Sequence, residues 1–248
     1  MKFSRYLFLF IAVILVPFVL FAGTKDKESP GKPVDSGSFG IFMGTRRVGT
    51  ETFSITQNSS GSVVQSEFKT EGTADKASQS SEMLLTATGE IRRYDWKEIA
   101  PGKGQSTVTP NEQFLTQKWT ANPDDKPQEQ PYLLPSSTSI LDDYFFVHRE
   151  VLAWKFLSTS CNKNSAGQLQ CPLKQKTQFG TLNPHQRASA PVTMEFLGRE
   201  TASIRGTNQN LIKVELKSDT GAWELWLDDQ FKVQRMAIPA ENTEVVRD

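Results

Sequence analysis

Apolar and polar residues alternate with a period of two along most of the chain. Phe39, Ile41 and Met43 alternate, a Gly44-Thr45-Arg46-Arg47 turn follows, and Phe53 and Ile55 resume the pattern on the returning run. Further runs are Val63 to Lys69, then Met83, Leu85 and Ala87, then Ile91 to Ile99 after a turn at Thr88-Gly89-Glu90. Val192, Met194 and Phe196 form another, as do Ile212, Val214 and Leu216, and Trp223, Leu225 and Leu227; Asp228-Asp229-Gln230 then turns the chain into Phe231 to Ile238. Successive strand side chains point to opposite faces, so this period describes a sheet buried on one side. Many such runs joined by short turns predict an antiparallel meander.

One stretch has a different period. Ser139 is a candidate N-cap, with Asp142 three residues on in a capping-box arrangement that has Asp in place of Glu. Ile140, Tyr144, Val147 and Val151, with Leu141, Phe145 and Leu152, recur at spacings of three and four. That stripe predicts a helix from Ser139 to about Leu157. A long twisted sheet curls. The fold class expected is therefore mainly β: a curved antiparallel meander, an unclosed half-barrel, with one apolar α-helix in its concave face. A curled sheet that does not close leaves an apolar groove, where a ligand would sit. Tyr144, Val147, His148 and Val151 are expected to line it from the helix, and Trp223 and Leu225 from the sheet.

The N-terminus adds a second kind of signal. Lys2 and Arg5 precede Tyr6–Ala22, 17 residues without a charge. This is the pattern of an export signal, and it is also near the lower length limit for a membrane span. Cleavage after Ala22 and retention as an anchor both remain open. Residues 23–36 are polar, with two prolines, and read as a disordered linker; residues 37–248 form the single β-rich domain. The two cysteines, Cys161 and Cys171, are separated by Asn162-Lys163-Asn164-Ser165-Ala166-Gly167, a turn-forming composition. Two strands joined by that turn bring the sulfurs within bonding distance, and a disulfide belongs to an oxidising compartment. The expected location is thus exported: periplasmic, or on the extracytoplasmic face of the inner membrane if the anchor stays.

Charge narrows the partners. Lys and Arg total 28, as do Asp and Glu; without residues 1–22 the balance is 26 to 28. A near-neutral body lacks the basic clusters that nucleic acid or anionic headgroups require. Reactive chemistry is sparse. His148 falls on or beside the apolar stripe and reads as a packed core histidine; His185, after Asn183-Pro184, reads as a surface residue in a loop. No metal-ligand spacing, cofactor motif, nucleophile elbow or phosphate loop is present. Asp142 and Asp143 form the nearest thing to a carboxylate pair, and their place in a first helical turn favours a capping role; Asp228 and Asp229 read as turn residues. Trp226 points away from Trp223, Leu225 and Leu227, which requires a second packed layer or an exposed indole, and Trp96 and Trp119 pose the same question.

The hairpin Gly40-Ile41-Phe42-Met43-Gly44-Thr45-Arg46-Arg47-Val48-Gly49-Thr50 and the closing segment Trp223-Glu224-Leu225-Trp226-Leu227-Asp228-Asp229-Gln230-Phe231-Lys232-Val233-Gln234-Arg235 resemble the first and last hairpins of the lipoprotein-localisation (Lol) carrier superfamily and its periplasmic relatives. The resemblance spans residues 37–248. It implies an unclosed half-barrel whose apolar cavity binds lipid or acyl chains. The chain departs from lipid-anchored members in having no cysteine near the start of the body, and in a long polar insert, residues 101–135. The expected function is non-enzymatic binding or carriage of a lipid, acyl chain or other amphiphile. A cell-envelope hydrolase using Asp142 and Asp143, or a structural envelope subunit, is the alternative.

Overall fold

The computed structural model describes residues 31–72, 76–165, 169–219 and 221–248. The expected export segment and most of the expected linker lie outside these. The chain first runs as a meander through β1 (Lys32–Met43), β2 (Arg46–Asn58), β3 (Gly61–Thr70), β4 (Ser78–Thr86), β5 (Ile91–Ala100), β6 (Gln105–Asn111), β7 (Phe114–Thr120) and β8 (Gln128–Tyr132). A short β9 (Ser139–Ile140) leads to helix α1 (Val147–Ser160) and a small ribbon, β10 (Asn162–Lys163) with β11 (Leu169–Gln170). The return meander is β12 (Lys176–Asn183), β13 (Ala188–Ile204), β14 (Thr207–Ser218), β15 (Gly221–Leu227), β16 (Val233–Ile238) and β17 (Thr243–Arg247).

These strands form one unclosed curved sheet of 15 strands, in the order β8 to β1, then β17 to β12, then β9. The first and last strands of the meander pair at its centre, with Ile41 opposite Val245. β9 runs parallel to β12, with Ser139 opposite Thr181. The fold class is the expected one: mainly β, a half-barrel open at β8 and β9, with α1 against its inner face. Inward residues of both arms, among them Phe39, Phe53, Met83, Met194, Val214 and Leu225, join Leu152, Phe156 and Leu157 of α1 in one core. Burying each large apolar side chain contributes about 2 kcal/mol.

Three expectations are corrected. The first strand starts at Lys32, inside the expected linker. Lys32–Ser36 pair with residues of β2, from Gln57 to Ser54. Pro33 is tolerated there because β17 joins β1 only from Phe39 onward, so Pro33 faces no second strand. Asp35 is buried, held by Arg247 Nη2 at 2.8 Å and Lys232 Nζ at 2.9 Å. The same Arg247 nitrogen lies 2.8 Å from Glu150 Oε2 on α1. Burial and the neighbouring Asp35 push the Glu150 carboxyl well above the usual range. This cluster joins β1, α1 and β17.

The helix begins at Val147, not Ser139. Phe146 occupies the N-cap position and supplies no side-chain cap. Glu51 of β2 caps the helix instead: its Oε2 accepts from Phe146 N at 2.7 Å, and both its oxygens lie 3.3 Å from Val147 N. Ser66 Oγ donates to Glu51 Oε1 at 2.6 Å. A carboxyl group here meets the positive end of the helix. Burial nonetheless raises the Glu51 pKa to about 7.

The polar insert 101–135 is the third correction. It contains β6, β7 and β8, which extend the sheet.

Cys161 and Cys171 form a disulfide across the base of the β10–β11 ribbon, with Cα atoms 4.4 Å apart. Trp226 is buried on the outer face without a second layer. Lys213 and Arg235 lie over its ring at 4.9 and 4.6 Å, its Nε1 donates to Glu200 at 2.6 Å, and Ala202, Ile204, Leu211 and Ala237 pack around it. Long basic stems cover apolar surface while their charges stay in water. Among the described residues, no helix is long and apolar enough to cross a membrane.

Candidate functional site

A cavity of about 260 Å³ lies between α1 and strands β2 to β5. The sheet contributes Ile55, Val64, Met83, Leu85 and Ile91; the helix contributes His148, Val151, Leu152, Trp154 and Lys155. Alternation puts the sheet residues on the inner face, and the one-turn spacing of His148, Val151, Leu152 and Lys155 puts those four on one side of the helix.

His148 is almost fully buried, and neither ring nitrogen has a hydrogen-bond partner. Its ring meets Tyr94 edge-on at 5.5 Å. Burial lowers its pKa to about 4, so the ring is neutral at pH 7. Thr138 Oγ1 lines the same cavity and is also buried without a partner. Such groups cost about 1–3 kcal/mol each when unmatched. Lys155 Nζ donates to Ser137 O at 2.5 Å.

Of the expected groove residues, His148 and Val151 line this cavity and four do not. Val147 is fully buried, with its N–H turned to Glu51. Leu225 lies in the core of the return arm. Trp223 packs beneath the Arg149 guanidinium at 4.4 Å and beside Phe146 at 5.8 Å. Tyr144 precedes the helix and sits against Phe68 and His185. The late helix start moves Tyr144 off the stripe, and β15 belongs to the other arm of the sheet.

A second cluster stands at the N-terminal end of α1. Asp142 is fully buried. Its Oδ2 accepts from Tyr94 OH at 2.6 Å and lies 2.7 Å from His185 Nδ1; its Oδ1 accepts from Tyr144 N at 3.0 Å. Arg149 Nη1 donates to its backbone carbonyl at 3.2 Å. Burial works to raise the Asp142 carboxyl, but the bond and charge of His185, with Tyr94, hold it below the ordinary range. Burial and the facing Asp142 push the Tyr94 hydroxyl well up. His185 is not a simple surface residue. Asn183 Oδ1 accepts from His185 N at 3.0 Å and Gln186 N at 3.2 Å, and this turn wedges the ring between Trp96 and Tyr144. With Nδ1 turned to the carboxylate, Nε2 points away from it, and it is buried with no partner.

Asp142 and Asp143 do not face each other. Asp143 is exposed and accepts from Asn183 and Gln186 at 2.7 and 3.1 Å. Neither lies in a first helical turn, because α1 starts later. Asp228 does serve a turn, accepting from Gln230 N at 2.8 Å and Lys232 N at 3.0 Å. Among the described residues, no three or more His, Cys, Asp or Glu side chains gather as metal ligands.

Sequence reasoning missed Glu51, Tyr94 and the partnership of Asp142 with His185. Glu51 carried a signal: it falls in period with Phe53 and Ile55, so alternation already pointed it inward. The contact between Asp142 and His185 joins residues 43 positions apart and had no local signal. No protein-family model, curated protein or solved structure matches the chain.

Proposed function

We propose that this chain is an extracytoplasmic binding or carrier domain that holds the tail of an acyl-chain amphiphile between α1 and the concave sheet. The observation that carries this reading is the apolar lining of the cavity, with Ile55, Val64, Met83, Leu85 and Ile91 facing Val151 and Leu152. At about 260 Å³ it lies just below the roughly 300–1,000 Å³ of drug-sized pockets, which suits one chain segment. Ten buried methylenes contribute about 8 kcal/mol before the cost of association, so the affinity is micromolar or weaker. Lys155 and Ser158 stand on the lining as partners for a polar head.

Export is part of the proposal. It is supported by the uncharged Tyr6–Ala22 run and by a disulfide of the kind that persists in oxidising compartments. The likeness of the first and last hairpins to lipoprotein-localisation carriers supports the same reading. The inner membrane is the partner if the N-terminal segment is retained.

Native mass spectrometry of the delipidated chain with palmitate tests the reading. One bound molecule is expected. Val151→Trp, which fills the cavity from a half-buried position, should weaken binding at least about tenfold while leaving Tm unchanged. Absence of a palmitate adduct, or an adduct that V151W retains in full, overturns it.

A further inference from the structure

We infer that a second ligand site, built for a saccharide ring, lies on the concave face beyond the N-terminal end of α1. Trp96, Ser106, Trp119 and Gln128 stand opposite one another in register across β5, β6, β7 and β8. Neighbouring strands are about 4.8 Å apart, so the two indoles are rooted about 10 Å apart with only a serine between them. A cavity of about 340 Å³ opens over this row. The Pro184–Arg187 turn walls its other side. Arg187 lies 5.0 Å over the Trp119 ring, and the His185 ring is 4.4 Å from Trp96.

Two polar atoms on this lining are left without partners. His185 Nε2 and Thr120 Oγ1, both on this lining, are buried without a partner. Ser106 Oγ accepts from Gln117 Nε2 at 2.8 Å, which leaves its own proton to donate. Aromatic walls with donors and acceptors between them match a ring that is apolar on its faces and hydroxylated at its rim. An acyl chain would leave His185 and Thr120 unmatched. A phosphate calls for clustered cations, whereas Arg187 shares this lining with Glu98. The site is separate from the acyl-chain cavity, so either reading stands or falls without the other.

The test uses the full chain, with indole N–H signals followed by NMR during titration with cellotriose, maltotriose and chitotriose. Palmitate and inorganic phosphate serve as contrasts. At least one trisaccharide should shift Trp96 and Trp119 saturably at millimolar concentration, with Trp154, Trp223 and Trp226 unmoved. Trp119→Ala should weaken that binding at least about tenfold. Arg187 is exposed in its turn, so Arg187→Ala leaves folding intact; it should weaken binding several-fold. No saturable shift with any of the three sugars overturns the proposal. So does full binding by both variants, or a response of these two indoles to palmitate or phosphate alone.

Discussion

Two rows of inward side chains run side by side across the first arm of the sheet. One row is Ile55, Val64, Met83 and Tyr94; the next, two residues along each strand, is Phe53, Ser66, Ser81, Trp96, Ser106 and Trp119. The rows are about 7 Å apart on the same face of the same strands. The first is apolar and faces the body of α1. The second mixes three serines with Phe53, Trp96 and Trp119, and faces the end of the helix and the loops beside it. The difference follows from what stands opposite. A helix body offers side chains alone, whereas a helix N-terminus and a loop offer backbone N–H groups that need acceptors. Glu51 and Asp142 meet that need, and Tyr94 spans the boundary with its ring against His148 and its hydroxyl on Asp142.

The largest way to break this division is Asp142→Ala. It strips the acceptor from Tyr94, Tyr144 and His185 together, and the expected loss is about 4 kcal/mol in urea unfolding. An unchanged midpoint would show that the boundary carries no stability.

The next effect is a pair of opposed pH legs. The folded Glu51 pKa of about 7 lies above its ordinary 4.5, so the folded state holds a proton the unfolded chain has lost, and stability falls as pH rises through that window. The folded His148 pKa of about 4 lies below its ordinary 6.5, so the unfolded chain holds the extra proton, and stability rises with pH across that window. Each leg is about 3 kcal/mol, and they largely offset between them. Relative to the unsubstituted chain, Glu51→Gln should therefore gain stability as pH rises from 4.5 to 7. Relative to the unsubstituted chain, His148→Leu should lose stability as pH rises from 4 to 6.5. Profiles parallel to that of the unsubstituted chain in both variants would remove both assignments.

The smallest effect sharpens the apolar side. At pH 7, His148→Leu removes two unmatched nitrogens and should stabilise the empty protein by about 1–2 kcal/mol in thermal unfolding. A destabilised variant would mean that the ring nitrogens are satisfied.

The strand pattern was legible wherever inward residues are apolar, as in β1 to β5 and β13 to β16, and the disulfide was legible from its turn-forming spacer. The insert 101–135 was not, because the inward residues there include Ser106 and Gln117, which break an apolar alternation without breaking the strand. The helix start was misread because its capping group is not local. Glu51 lies 95 positions from Phe146, whereas Ser139 and Asp142 imitate a local cap. His185 looked like a surface residue because Asn183-Pro184 does mark a turn; that this turn folds inward onto Asp142 is a property of the packed sheet.

The pairing of β17 with β1 has a consequence for how the chain is made. Arg247 and Asp35 are 212 positions apart, yet they meet at the middle of the sheet. As synthesis proceeds from the N-terminal side, β1 shows a bare hydrogen-bonding edge along Phe39–Met43 until the last strand has emerged. The two arms do not pair strand to strand before then, although the hairpins within each arm join sequence neighbours and can form earlier. Until that moment the nascent chain carries an unpaired edge that stray strands can join.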